Sequence, residues 1–274
     1  MVKKSFPIFL KIANRIIKIS LTQTPGNEFA VNYWRLKISE KLKNWIIKKT
    51  VRPEGYIEFY FNMFLSVKVD KHQEYFIKIF KKTGKNKIRT YYYISHTQFY
   101  FLLRLIIQLL IEKEKGFFIH ASANALTKNS ACLFIGKSGG GKSTIANLLG
   151  QKYIKLADDI ALISQKEGYY YLYPTPIDEK LIIDKADIKP YKIKGVFIIQ
   201  QSDEILLKKI KNNDFLIQKF STSILFKENT RLNILNNRFK ELITNKIDFF
   251  QFKFPKDGQK LIEFFTSYEK GSYQ

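Results

Sequence analysis

The chain has 274 residues, 45% of them apolar, with 47 Lys+Arg against 24 Asp+Glu and a single cysteine. This excludes a disordered or collagen-like chain and leaves enough apolar material for one large domain or two modest ones without a disulfide or metal staple. The formal charge of +23 rests on 40 Lys and only 7 Arg, spread evenly among many Ile, Asn, Phe and Tyr; base readout favours Arg, so nucleic acid is not the expected partner, and attraction to something acidic is the alternative to a generally basic solvated surface.

Residues Phe6 to Ile19 carry apolar side chains interrupted by Lys11, Arg15 and Lys18. They lack the continuous apolar core of a signal peptide and read as a basic amphipathic helix packed on its own domain. Pro25-Gly26-Asn27 and Arg52-Pro53-Glu54-Gly55 are turns by composition. Tyr56–Phe61 and Glu74–Phe80 are aromatic and β-branched and read as strands, with Lys81–Lys87 around Gly84 as a basic hairpin connection. From Thr97 to Lys115 the apolar positions Phe101, Leu105, Ile106, Leu109 and Leu110 form a helical stripe ended by Gly116. The longest apolar stretch, Phe99 to Ile111, is broken by Arg104 and Gln108 and falls short of the ~20 residues a bilayer span needs. The boundary is placed before this helix: residues 1–94 are a small N-terminal α+β subdomain and 95–274 the larger functional domain.

Beyond Gly116, Phe117–Leu126 and Ala131–Ile135 are apolar runs separated by Thr127-Lys128-Asn129-Ser130, the spacing of a hairpin. A short helix is expected over Lys142–Leu149, then strands at Ile160–Ser164, Tyr169–Tyr173, Gly195–Ile199 and Phe249–Phe254. Cys132 lies in an apolar run and cannot pair within the chain, which points to core filling and the reducing cytoplasm. His72 and His96 have no acidic partner at metal-ligand spacing and read as surface or turn residues. The Tyr91–Tyr93 and Tyr169–Tyr171 runs read as strand packing rather than base stacking.

Between the second apolar run and the short helix stands Gly136-Lys137-Ser138-Gly139-Gly140-Gly141-Lys142-Ser143, a match to G-x-x-x-x-G-K-[ST] in the strand, loop and helix order that the motif requires. Backbone N–H groups can wrap a polyphosphate closely only where side chains do not intrude, and the helix that follows aims its positive end at the anion. Lys142 supplies a point charge to the β/γ-phosphates, the Ser143 hydroxyl can sit on Mg²⁺, and Thr144 extends the hydroxyl set. In common phosphate-loop NTPases the metal-binding acid ends an apolar strand. Here Asp158-Asp159 precede the run Ile160–Ile163, which then returns through Lys166-Glu167-Gly168 into Tyr169–Tyr173. That is a hairpin, and it argues for a mixed sheet.

His120 in a strand, the hairpin, the loop and Ala157-Asp158-Asp159, all within one short stretch, resemble the catalytic domain of HPr kinase/phosphorylase, related in its phosphate loop to phosphoenolpyruvate carboxykinase. The resemblance implies an α/β fold with a mixed α+β sheet. It implies that Asp158 is the acid/base facing a substrate hydroxyl, that Asp159 with Ser143 holds Mg²⁺, and that His120 lies beside the phosphates and Asp158. It further implies ATP as donor, a serine of a protein or peptide as acceptor, and a homo-oligomer. No second glycine- and arginine-containing segment follows the aspartates, and the resemblance ends before Gln200. A nucleotide-binding regulatory module that hydrolyses slowly or not at all, and a small-molecule kinase, remain as alternative readings.

Overall fold

The computed structural model describes residues 4–48, 52–60, 79–90, 95–178, 181–223, 237–238, 240–245 and 247–272. The chain divides into two compact units, Met1–Leu110 and Ile111–Gln274.

The N-terminal unit opens with a hairpin of β1 (Lys4–Ile12) and β2 (Arg15–Gln23), where the sequence suggests a helix. The reason is local. Ile17, Ile19 and Leu21 are buried at a period of two while Lys18 and Ser20 are not, and Ala13 and Asn14 turn the chain at φ 48° and 60°, the left-handed pair that a two-residue hairpin loop needs. Helix α1 (Glu28–Lys41) buries Val31, Trp34 and Ile38 along one stripe and carries the chain over to β3 (Gly55–Tyr60), parallel to β2. Strands β4 (Phe80–Gly84) and β5 (Lys87–Thr90) complete the order β1-β2-β3-β5-β4. Most of the expected strand Glu74–Phe80, together with His72 and Tyr91–Tyr93, lies outside the described residues.

Helix α2 (His96–Ile111) packs into this unit up to Leu110. The Phe99 ring lies 5.2 Å from Trp34 and 5.7 Å from Phe59. A Cβ on Gly55 would stand 2.8 Å from Ile106 Cγ2 and 2.9 Å from Leu110 Cδ1, so β3 and α2 meet where one side chain is missing. The division therefore falls after this helix instead of before it: the apolar stripe that marks the helix is the one that closes the N-terminal core.

The C-terminal unit is built on a mixed sheet. Its strands are β6 (Phe117–His120), β7 (Ser122–Ala125), β8 (Ser130–Ile135), β9 (Lys155–Ala157), β10 (Ile160–Lys166), β11 (Tyr169–Tyr173), β12 (Tyr191–Gln201), β13 (Leu206–Lys209) and β14 (Asp248–Phe254). The main path runs β6-β10-β11-β12-β8-β7-β9, with β14 beside β12 and β13 beside β14. β8, β12 and β14 are parallel neighbours, and the remaining pairs are antiparallel. Only Ala121 separates β6 from β7, and only Asp158-Asp159 separates β9 from β10. The Ala121 N–H donates to the Asp159 carbonyl at 3.1 Å, so the β6·β10 and β7·β9 ladders run into each other and the path returns on itself.

Both faces of this sheet are covered. One carries Phe117, Ile119, Leu133, Ile163 and Val196 and meets Leu216 of α4 (Asn213–Ser223). The other carries Cys132, Phe134, Phe197 and Phe252 and meets α3 (Lys142–Leu149) and α5 (Gly258–Glu269) through Ile145, Leu149, Leu261 and Phe265. Lys194 Nζ donates to the terminal carbonyls of Tyr268, at 3.4 Å, and Glu269, at 2.7 Å, placing a cation at the negative end of α5. The fold is mixed α+β with mixed sheets, as the sequence leads one to expect.

Candidate phosphate-binding site

The loop leaves the carboxyl end of β8 and enters α3. In a parallel set of strands this is the end where ligands bind, and the carboxyl ends of β12 and β14 lie alongside. Gly139 and Gly141 take φ of 73° and 95°, in the left-handed region. A Cβ on Gly141 would fall 2.7 Å from Gln201 Nε2 and 2.9 Å from Phe254 Cζ, and one on Gly140 would fall 2.9 Å from the Lys137 carbonyl oxygen. A side chain at Gly140 or Gly141 would thus force the loop or its neighbours to shift, while Gly139 is constrained by its backbone angle alone.

Lys142 is 6% exposed, and its Nζ donates to the carbonyls of Gly136 and Lys137 at 3.1 Å each. Burial lowers its pKa from the ordinary lysine value, while the negative charge of Asp159 works in the opposite direction. The ammonium is held inside the curve of its own loop. Two buried side chains of β7 fix the helix behind it: Ser122 Oγ donates to the Lys142 carbonyl at 2.8 Å, and Asn124 Nδ2 to the Ala146 carbonyl at 3.1 Å. Sequence reading missed both, because a Ser and an Asn in an apolar run look like interruptions until the helix is laid across them. Ser143 is exposed and Thr144 half-buried on the first turn of α3.

The bend between β9 and β10 sends the two aspartates to different environments. Asp159 is exposed, and its Oδ1 lies 3.1 Å from His120 Nδ1. Asp158 is mostly buried, with Oδ1 3.5 Å from Lys155 Nζ and making no hydrogen bond. Its backbone N–H donates to Asp178 Oδ2 at 3.2 Å. His120 therefore partners Asp159, whereas the resemblance set it beside Asp158. Among the described residues no cluster of three or more His, Cys, Asp or Glu could hold a metal. Mg²⁺ does not require one, since it keeps several waters and accepts one or two protein oxygens beside those of a phosphate.

A cleft of 1080 Å³ opens beside the loop, lined by His120, Gly136–Gly140, the carboxyl ends of β12 and β14, and α4. Neither aspartate lines it. The residues from Gln200 onward contribute much of its wall, and nothing in their order marks them as part of a site.

A family model described as SynChlorMet cassette protein ScmC matches residues 96–239. The chain belongs to the ScmC family. The ScmC match begins at α2 and takes in His120, the whole loop, both aspartates and α4, and it ends before β14. The family shown is thus ScmC, and HPr kinase/phosphorylase remains a resemblance of this core. Among solved structures the chain is similar to the Hpr(Ser) kinase/phosphatase from Coxiella burnetii, with 12% identity, coverage of 57% of this chain and 95% of that one, and a TM-score of 0.31. No curated protein matches. No described helix is long and apolar enough to cross a membrane.

Proposed function

We propose that this chain binds the triphosphate of ATP on the loop Gly136–Thr144 and transfers the γ-phosphoryl group to a hydroxyl, that of a serine in a protein or peptide. The observation that carries the reading is the buried Lys142, held by the carbonyls of Gly136 and Lys137 within a glycine cradle at the carboxyl ends of parallel strands. A desolvated ammonium that satisfies itself on its own loop is set to exchange those carbonyls for phosphate oxygens. Backbone N–H groups and the start of α3 supply the rest of the cradle.

Ser143 and Asp159 are the oxygen ligands available for Mg²⁺, both exposed and both hard donors. When bound, Mg²⁺ neutralises charge on the β/γ oxygens. His120 orients Asp159 through the 3.1 Å contact. Asp158, with a carboxylate oxygen lacking a hydrogen-bond donor, is the group assigned to accept the acceptor's proton, and Lys155 holds it in the resting state.

A second reading has its own support. Asp158 faces Lys155 and does not line the cleft, as suits a nucleotide-binding module that moves no phosphate. Phosphate transfer from γ-labelled ATP with Mg²⁺ into fractionated host lysate, comparing wild type with Asp158→Asn, separates the two. Label in a protein or peptide that depends on Asp158 supports the kinase, and label in a free metabolite favours a small-molecule acceptor. Nucleotide binding with no transferred label favours the module.

A further inference from the structure

The cleft is larger than a triphosphate needs, and its far wall is chemically one-sided. Three of the chain's twelve glutamines stand there, Gln200 at the end of β12, Gln251 on β14 and Gln218 on α4, joined by Lys219 and Lys253, and a fourth, Gln201, lines the loop side of the same cleft beside Gly141. No aspartate or glutamate stands among the described lining residues. A lysine-rich chain puts lysines in most surfaces, so the cations alone decide little. The concentration of one-third of all glutamines in a single cleft is not explained that way.

Placement gives the wall a direction. Phe249 faces the core beneath α4, and residues alternate along a strand, so Gln251 and Lys253 project on the α4 side while Phe250, Phe252 and Phe254 pack on the face of α3 and α5. On β12, Gln200 pairs in register with Lys253. Glutamine amides offer a donor and an acceptor together, the complement of a peptide unit, whereas ammonium groups complement carboxylates. Lys253 has no carboxylate partner among the described residues, and the Lys219 ammonium lies over the Phe215 ring, 5.5 Å from its centroid. His120 lines the same cleft, so this wall is continuous with the loop end at which the hydroxyl must arrive.

We infer that the part of the cleft between α4 and the ends of β12 and β14 is the acceptor subsite, and that it takes an extended peptide carrying carboxylates beside the hydroxyl that is phosphorylated. The inference rests on the kinase reading for the fate of the hydroxyl, but binding can be measured without transfer. The glutamines hold the peptide backbone and the two lysines select acidic neighbours.

The test uses the full chain and three fluorescent serine-centred peptides whose flanking residues are Glu, Gln or Lys. Anisotropy with ADP and Mg²⁺ present is expected to show the Glu peptide binding at least tenfold tighter than the Gln peptide, with the Lys peptide weakest and the preference fading as salt rises. Lys219→Gln with Lys253→Gln should remove the preference while a fluorescent ATP analogue binds as before. Lys253 is exposed, and Lys253→Gln alone, checked by thermal unfolding, provides a reading should the pair destabilise the fold; a loss of the preference by severalfold is expected. Equal binding of the Glu and Gln peptides overturns the inference, and so does loss of ATP-analogue affinity in the variants, which would assign this wall to the nucleotide. Selective binding of the Glu peptide without phosphate transfer upholds the subsite and removes the kinase reading. Transfer without charge preference upholds the kinase and removes the subsite.

Discussion

His120 Nδ1 and Asp159 Oδ1 meet at 3.1 Å across the bend at which β6 passes into β7 and β9 into β10. In a straight antiparallel ladder His120 would face Ile160, its partner in register. The bend brings the imidazole to the preceding residue, and His120 lines the cleft beside the glycine-rich loop. If the two act as a unit, replacing either should cost about as much as replacing both. His120→Asn and Asp159→Asn are each expected to lower phosphate transfer by about 10²–10⁴-fold, and the double variant should fall little further. Additive losses in single-turnover measurements would show two independent groups.

The glycines of the loop are not equivalent. Gly139 and Gly141 both take positive φ, but a Cβ on Gly139 meets nothing within 4 Å, while one on Gly141 meets Gln201 and Phe254. Gly139→Ala should cost only the left-handed backbone penalty of about 1–2 kcal/mol. Gly141→Ala should add an overpacking cost of about 1–3 kcal/mol and weaken nucleotide binding further. Urea unfolding and ATP-analogue titration of the two variants check the order, and equal effects would deny that Gln201 and Phe254 shape the loop.

Ser122 and Asn124 tie β7 to the helix carrying Lys142. Ser122→Ala with Asn124→Ala is expected to lower stability by about 1–3 kcal/mol. It should weaken nucleotide binding by more than an equally destabilising change in the N-terminal core, such as Ile38→Val. Comparable binding losses in the two would show that these bonds serve stability alone.

Burial raises the pKa of Tyr170 and of Tyr191 to about 12, with the charges of Glu241 and Asp187 respectively adding to it, and raises that of Tyr268 further still. In each case the folded value lies above the unfolded value of about 10, so the unfolded chain releases its proton first. The stability these residues contribute is complete below about pH 10 and is lost as pH climbs through the folded values. Lys142 acts in the opposite sense: its lowered pKa makes the nucleotide-free fold gain stability as pH rises toward the ordinary lysine value. Three tyrosines should outweigh one lysine. Urea midpoints taken from pH 9 to 11.5, with tyrosinate absorbance, are expected to fall together with ionisation, and a flat midpoint across that range would contradict the assignment.

Much of the candidate site is legible in the order of residues because the parts that compose it are local. Eight consecutive residues supply the glycines, the ammonium and the hydroxyl, and their neighbours form the strand and helix that hold them. The hairpin at Thr127–Ser130 and the strands starting at Ile160 and Tyr169 were legible for the same reason, since turn residues punctuate apolar runs. The N-terminal hairpin was harder: lysines interrupt its apolar residues in a way that serves a helix or a strand, and the two-residue turn at Ala13-Asn14 carries no glycine to announce it.

The glycine-rich loop, the elements on either side of it and the mixed character of the sheet can be read from residue order alone, because backbone permissiveness and apolar period act between near neighbours. Which aspartate His120 meets, that α2 closes the N-terminal core, and that Gln200, Gln201, Gln218 and Gln251 share one cleft emerge only once the chain is packed. These depend on which strands lie side by side, and β8, β12 and β14 come together across long stretches of chain through the burial of both sheet faces, a requirement that no short window of residues expresses.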